Sequence, residues 1–158
     1  MSTGDILAAA KDAALVLSAA RSAALATLEA RTGHPYVSLV TIALDTDGAA
    51  LLLLSKLARH TANMLSDDRA SLLFQAAPGA ADPMASARVT LMGRMRLTES
   101  PTARSRFLAR HPDAQMYAGF ADFAFYALAL EKAHFIGGFG RIVELSAADV
   151  GAAVHAGT

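Results

Sequence analysis

Apolar positions along the chain switch repeatedly between a helical and a two-residue period. From Thr3 to Ala20, Ile6, Ala10, Ala13 and Leu17 recur at three- and four-residue spacing, and the alanine content favours a leading helix. Ala23 to Glu29 and Tyr36 to Leu44 then alternate as strands, joined by a turn in which Gly33 and Pro35 redirect the chain. Asp45-Thr46-Asp47-Gly48 is a second turn, and Ala49 to Ser55 a third strand leading into a short helix, Arg59 to Leu65. Ala70 to Ala76 reads as a fourth strand, and Pro78 to Pro83 as a flexible or projecting loop.

Ala87 to Leu97 is the best-marked strand. Val89, Leu91, Gly93, Met95 and Leu97 share one face, and Arg88, Thr90, Met92, Arg94 and Arg96 the other, where most of the arginines should meet water. Ser100 and Pro101 form a helix start, and His111-Pro112 ends that helix; a short helix follows and stops near Gly119. Phe123 to Leu130 and His134 to Leu145 complete the strands, the second broken by Gly137, Gly138 and Gly140, read as a bulge or close backbone approach. Six or seven strands in hairpin order do not fit a parallel sheet with crossover helices. They predict a mainly β fold with inserted helices: an antiparallel six- to seven-stranded split barrel. Residues 1–158 are expected to form one domain, with 1–20 the leading helix and 146–158 a C-terminal segment prone to fray.

Composition narrows the function. Hydrophobic residues make up 54% of the chain, yet no apolar run approaches the roughly 18 residues of a bilayer span. Asp5, Lys11 and Asp12 interrupt any signal-peptide core, so the expectation is a cytoplasmic protein with no membrane partner. The absence of cysteine excludes disulfides, thiolate nucleophiles and Cys-based metal sites, and no metal site is expected. With 14 basic and 14 acidic side chains there is no electrostatic footprint for nucleic acid. The high apolar content with few charges hints at a surface hidden in an oligomer.

The segment Leu51 to Leu65 carries the sharpest chemistry, because a buried-looking apolar run stops at a cationic, hydroxyl-bearing helix start. Backbone N–H groups, the helix dipole, a guanidinium and a Thr hydroxyl can converge there on a phosphate. An ordinary strand, loop and surface helix with a solvated arginine is the alternative.

The order of motifs resembles the pyridoxamine 5′-phosphate oxidase-like FMN-binding split barrels, most closely the haem-utilisation (heme iron utilization) branch. The resemblance is carried by Ala24 to Leu28, Gly33 to Val40, Leu54-Ser55 through Asn63-Met64-Leu65, Asp68 to Phe74, Arg88 to Gly93 and Ala133 to Arg141. It implies FMN as cofactor in a homodimer with flavin sites at the interface. Ser38, Leu39, Val40 and Thr41 would lie beside the flavin ring, and Ser55, Arg59, His60 and Thr61 would hold its phosphate, with Asn63 in support. Arg88 would approach the ring and Arg141 reach toward a partner-subunit site. An FMN-dependent oxidoreductase acting on a small-molecule substrate is the main expectation, with no catalytic residue assigned.

The departures argue against vitamin B6 oxidation. Ala43 stands where the oxidases carry a lysine, Arg106 and Ala114 where they carry tyrosine and serine, and Ile136 at an aromatic position; Arg110 matches their arginine. The haem branch implies instead a haem-binding or haem-degrading protein, which needs an axial ligand, most often histidine. His34, His111, His134 and His155 each read first as structural or solvent-facing. Larger members of that branch carry a further C-terminal domain beyond the length of this chain. A non-catalytic flavin-binding dimer is the third alternative.

Overall fold

Alanine-rich helix α1 (Thr3–Ala19) opens the chain, closed at its start by a reciprocal pair of bonds between Ser2 and Asp5. The structure, a computed structural model, describes residues 2–76 and 82–157. Strands β1 (Ser22–Leu28), β2 (Pro35–Thr41), β3 (Ala43–Leu44) and β4 (Ala50–Ser55) follow, then α2 (Arg59–Ser66) and β5 (Arg69–Gln75). After β6 (Ala87–Leu97) come α3 (Pro101–Arg110), β7 (Phe123–Gly137), β8 (Ile142–Ser146) and α4 (Ala147–Ala156).

The strands form one antiparallel sheet in the order β2-β1-β5-β6-β7-β4-β3, with β8 added along β7. Only Ile42 separates β2 from β3, which lie at opposite ends of that order. The chain itself therefore closes the sheet. Ile42 is fully buried and its N–H donates to the carbonyl of Arg21 at 3.0 Å. The 15-residue β7 serves both halves: its first part pairs with β4, its second with β8, and β6 runs beside both.

At the junction, Met92 pairs with Lys132 but Gly93 with Leu130, so Glu131 is an extra residue that bends β7. Glycine is required opposite the bulge, because a Cβ on residue 93 would lie 2.1 Å from the carbonyl oxygen of Ala129. Inside the barrel, Leu25, Leu52, Leu72, Phe74, Leu91, Leu128, Phe135 and Leu145 meet Leu17 of α1. A second cluster lies outside β4, where Leu51 and Leu53 pack with Phe107 of α3 and Phe125. Burial on both faces explains the unbroken run of leucines in β4.

Several expectations need correction. Tyr36 to Leu44 is two strands, because the chain changes partners at Ile42. Phe123 to Gly137 is one strand, and Gly138 and Gly140 form the turn into β8 with φ of +82° and +83°, so the bulge lies at Glu131 instead. Residues 147–156 are helical, capped by Ser146 and Asp149 and anchored by buried Val150 and Val154. Leu97 leaves the core face and is 61% exposed. Arg94 and Arg96 both pair with Asp68, and Arg94 also with Glu131, so they are not merely solvated. Of the expected loop, residues 78–81 lie outside the described residues; Asp82 caps a short turn over Pro83–Ala85.

Candidate functional site

The start of α2 gathers most of the residues assigned to a phosphate, but turns them to other partners. Ser55 Oγ accepts from the backbone of Leu57 at 3.1 Å, and Thr61 Oγ1 donates to the carbonyl of Ser55 at 2.7 Å. Buried Asn63 donates to Thr27 Oγ1 at 3.0 Å. Arg59 forms a 3.1 Å ion pair with Glu29 and lies over the Tyr36 ring. The Thr32 hydroxyl, and after it Arg59, hold the Glu29 carboxyl below its usual range. The helix's N-cap, Ala58, makes no side-chain cap.

His60 connects α2 to β2. Its Nδ1 lies 3.1 Å from Ser38 Oγ, while Nε2 is buried with no hydrogen-bond partner. Burial disfavours the imidazolium and lowers its pKa from the ordinary 6.5.

Residues 38–41 separate by alternation. Ser38 and buried Val40 face the barrel interior, whereas Leu39 and Thr41 face outward. The outward face running from β2 through β1, β5 and β6 to the second half of β7 and β8 carries no α-helix among the described residues, and only the short turn over Pro83–Ala85 meets it, at Gln75 and Arg88. One row crosses it in register: Leu39, Ala24, Leu73, Thr90, His134 and Glu144. Val37, Leu39, Leu73 and Ile142 are 62%, 79%, 45% and 59% exposed on this face. Contiguous apolar exposure of this kind marks a contact surface. Arg88 also lies here, opposite Ile136, and donates to the carbonyls of Met84 and Ser86 at 3.0 and 3.4 Å. Arg141 does not join it: the guanidinium pairs with Asp12 of α1 and lies 5.4 Å from the centre of the Phe135 ring.

A cleft of about 410 Å³ between α1, α3 and α4 is lined by Leu17, Ala43, Leu44, Arg106, Arg110 and Val154. Its arginines serve helix ends and backbone. Arg110 donates to the carbonyls of Ser18, Ala19 and Ala20, the C-terminus of α1, and Arg106 to that of Leu44 at 2.7 Å. Reading residues one by one missed the outward row that ends in His134 and Glu144. Val37 and Leu39, apolar at alternate positions on a strand whose other face is already buried, were its signal in the sequence. Among the described residues no group of three His, Asp or Glu could hold a metal ion, and no helix is long and apolar enough to cross a membrane.

A sheet whose end strands are joined through one buried residue, with a bent strand shared by its two halves, defines a split β-barrel. The chain belongs to the CREG, beta-barrel family, which it matches from residue 5 to residue 149. It is 33% identical to the heme binding protein from Mycobacterium smegmatis, whose solved structure superposes with a TM-score of 0.86 over 91% of this chain and 60% of that one. It is also 33% identical, over 109 residues, to the non-canonical heme oxygenase HOZ, chloroplastic, of Arabidopsis thaliana, covering 67% of this chain and 33% of that protein. The heme storage protein HutZ from Vibrio cholerae shares the fold, at 19% identity and a TM-score of 0.65, over 74% of this chain and 86% of that one. The chain thus spans about a third of the plant protein's length and 60% of the mycobacterial chain.

The two relatives at 33% identity overturn the expectation of FMN, since one is described as a heme binding protein and the other as a heme oxygenase. The physical reason is visible at α2. The buried Thr61 hydroxyl and Asn63 amide are committed to Ser55 and Thr27, and Arg59 is paired with Glu29.

Proposed function

We propose that this protein binds haem, and that it does so as a homodimer joined through the bare outer face of its barrel. The observation that carries the reading is the 33% identity, across 91% of the chain, to a protein described as heme-binding. The chemistry of the face supports it. A porphyrin needs a broad apolar surface, cations for its propionates and a side chain able to meet the iron. Leu73, Ile136 and Ile142 supply the first, and Arg88 and Lys132 the second. Of the residues singled out in the sequence, Leu39, Thr41 and Arg88 belong to this surface, whereas Ser38, Ser55, His60, Thr61 and Asn63 fix β2 and α2 beneath it. Val40 belongs to the core, and Arg59 and Arg141 to ion pairs.

Titration of the purified protein with haemin is the test. A saturable Soret band at one haem per chain or per dimer is expected; an absorbance indistinguishable from free haemin would end the reading. A second reading, oxidative opening of the bound ring, is favoured by the likeness to HOZ. It predicts loss of the Soret band when the haem complex is given a reductant in air, with release of a linear tetrapyrrole. A stable ferrous complex under those conditions would leave binding alone.

A further inference from the structure

We infer that His134 supplies the axial ligand to haem on the outer face of β7; this rests on the haem-binding reading above. The five histidines separate by what surrounds them. His34 sits at the exposed tip of the β1–β2 turn, beside Thr32 and Arg31. His60 presents its free nitrogen to the protein interior and has Ser38 on the other. His111 is buried, with Nε2 at 2.8 Å from the carbonyl of Ile42 and its ring against Phe107. His155 lies exposed in the last turn of α4, a helix that Val150 and Val154 anchor in the core.

His134 alone stands on the bare face. Its neighbours in sequence, Ala133 and Phe135, are buried, so the imidazole points outward, half-exposed. No hydrogen bond or ion pair engages its ring among the described residues. An imidazole with an uncommitted ring nitrogen is a good iron ligand.

The surroundings suit a planar apolar group held over that nitrogen. Thr90 lies directly across on β6, and Leu73 one strand further, about 10 Å away at the usual 4.7–4.9 Å strand spacing. Ile136, two residues along β7, pairs with Ile142 on one side and Arg88 on the other. Lys132, two residues the other way, is held by Glu144 at 3.5 Å in an exposed pair that a carboxylate ligand can displace. Arg88 and Lys132 lie one row to either side of His134, so whichever way the propionate-bearing edge of a porphyrin turned along the strand, it would meet one of these cations. Met92 opposite Lys132 and Thr90 opposite His134 give the porphyrin a floor on β6, while on β8 Glu144 lies in register with His134 and is paired with Lys132.

The test compares haemin titrations of the full chain, wild type, His134→Ala and His60→Ala, followed by absorption and electron paramagnetic resonance. With His134→Ala the Soret band shifts, the ligand-field signature changes, and affinity falls by no less than the about 10-fold that even an outer-sphere partner is worth. Added imidazole restores the wild-type spectrum in that variant, which a merely structural role for His134 would not allow. His60→Ala keeps the wild-type spectrum. Because His134 is not part of the core, its alanine variant unfolds at an unchanged denaturant midpoint. A His134→Ala protein with wild-type spectrum and affinity overturns the inference and leaves haem binding standing. Wild-type protein that binds no haemin ends both.

Discussion

Gly93 and His60 illustrate what single residues decide in this fold. At Gly93 the backbone of β7 comes so close that no side chain fits, and only carbonyl and α-carbon atoms are there to move. Gly93→Ala is therefore expected to destabilise the protein by roughly 1–3 kcal/mol, the cost of overpacking, read from the midpoint of urea unfolding. At His60 the neutral ring is favoured in the fold because burial lowers its pKa below 6.5. Below pH 6.5 the unfolded chain binds a proton that the folded one resists, so stability falls as pH drops through and below that value. Thermal midpoints between about pH 7.5 and about pH 5.5, a span bracketing the imidazole range, should fall less steeply in His60→Gln than in wild type. Parallel slopes would remove His60 from the acid response. Ser55, Arg59, His60, Thr61 and Asn63 were legible as a cluster because they lie within nine residues of one another. Their orientation was not, since it is set by Thr27, Glu29 and Ser38 from strands far earlier in the chain.

The elements themselves follow from local pattern wherever one face is buried and the other wet. Strands β1, β5 and β6 and helices α1 and α3 match their periodicity to within a few residues. Strand β4 was read as apolar throughout, and its second buried face appears only when α3 is folded against Leu51 and Leu53. Leu52, on the barrel side, is fully buried. Leu52→Ala should cost roughly 2–5 kcal/mol through the cavity it leaves, measured by chemical denaturation. A change no larger than that of a surface site would contradict its place in the barrel. Helix α4 escaped the sequence reading because Gly151 interrupts it and its apolar pattern is a single pair, Val150 and Val154, too short to show a period. It is held instead by the Ser146–Asp149 cap and by packing of Val150 and Val154 into the core beside α1.

At the scale of the molecule, closure of the barrel leaves one broad outer face without cover, and the proposed dimer and haem site both depend on it. Leu39, 79% exposed at the β2 side, is the residue whose charge would be least tolerated in a buried interface. Leu39→Glu is expected to convert the dimer to monomer in sedimentation velocity while leaving the folded spectrum intact. A wild-type monomer, or a variant that stays dimeric, would remove this face from self-association. The expected barrel was legible in the hairpin order of its strands, and the family in the succession of short motifs. Haem was legible as the alternative to FMN; the choice between them was not, because one fold can host different sites and the choice rests on where a few side chains point.

By itself the sequence determined where most strands and helices lie, that the sheet is antiparallel, and that one cationic turn follows a buried strand. Those are properties of neighbouring residues, fixed by periodicity, turns and caps. The tertiary structure alone decided that Ile42 splits one strand to close the sheet, that Arg110 serves α1 rather than a ligand, and that His134 shares a row with Leu39. Each of these depends on strand register and long-range pairing, and a shift of one residue would send every such side chain to the opposite face.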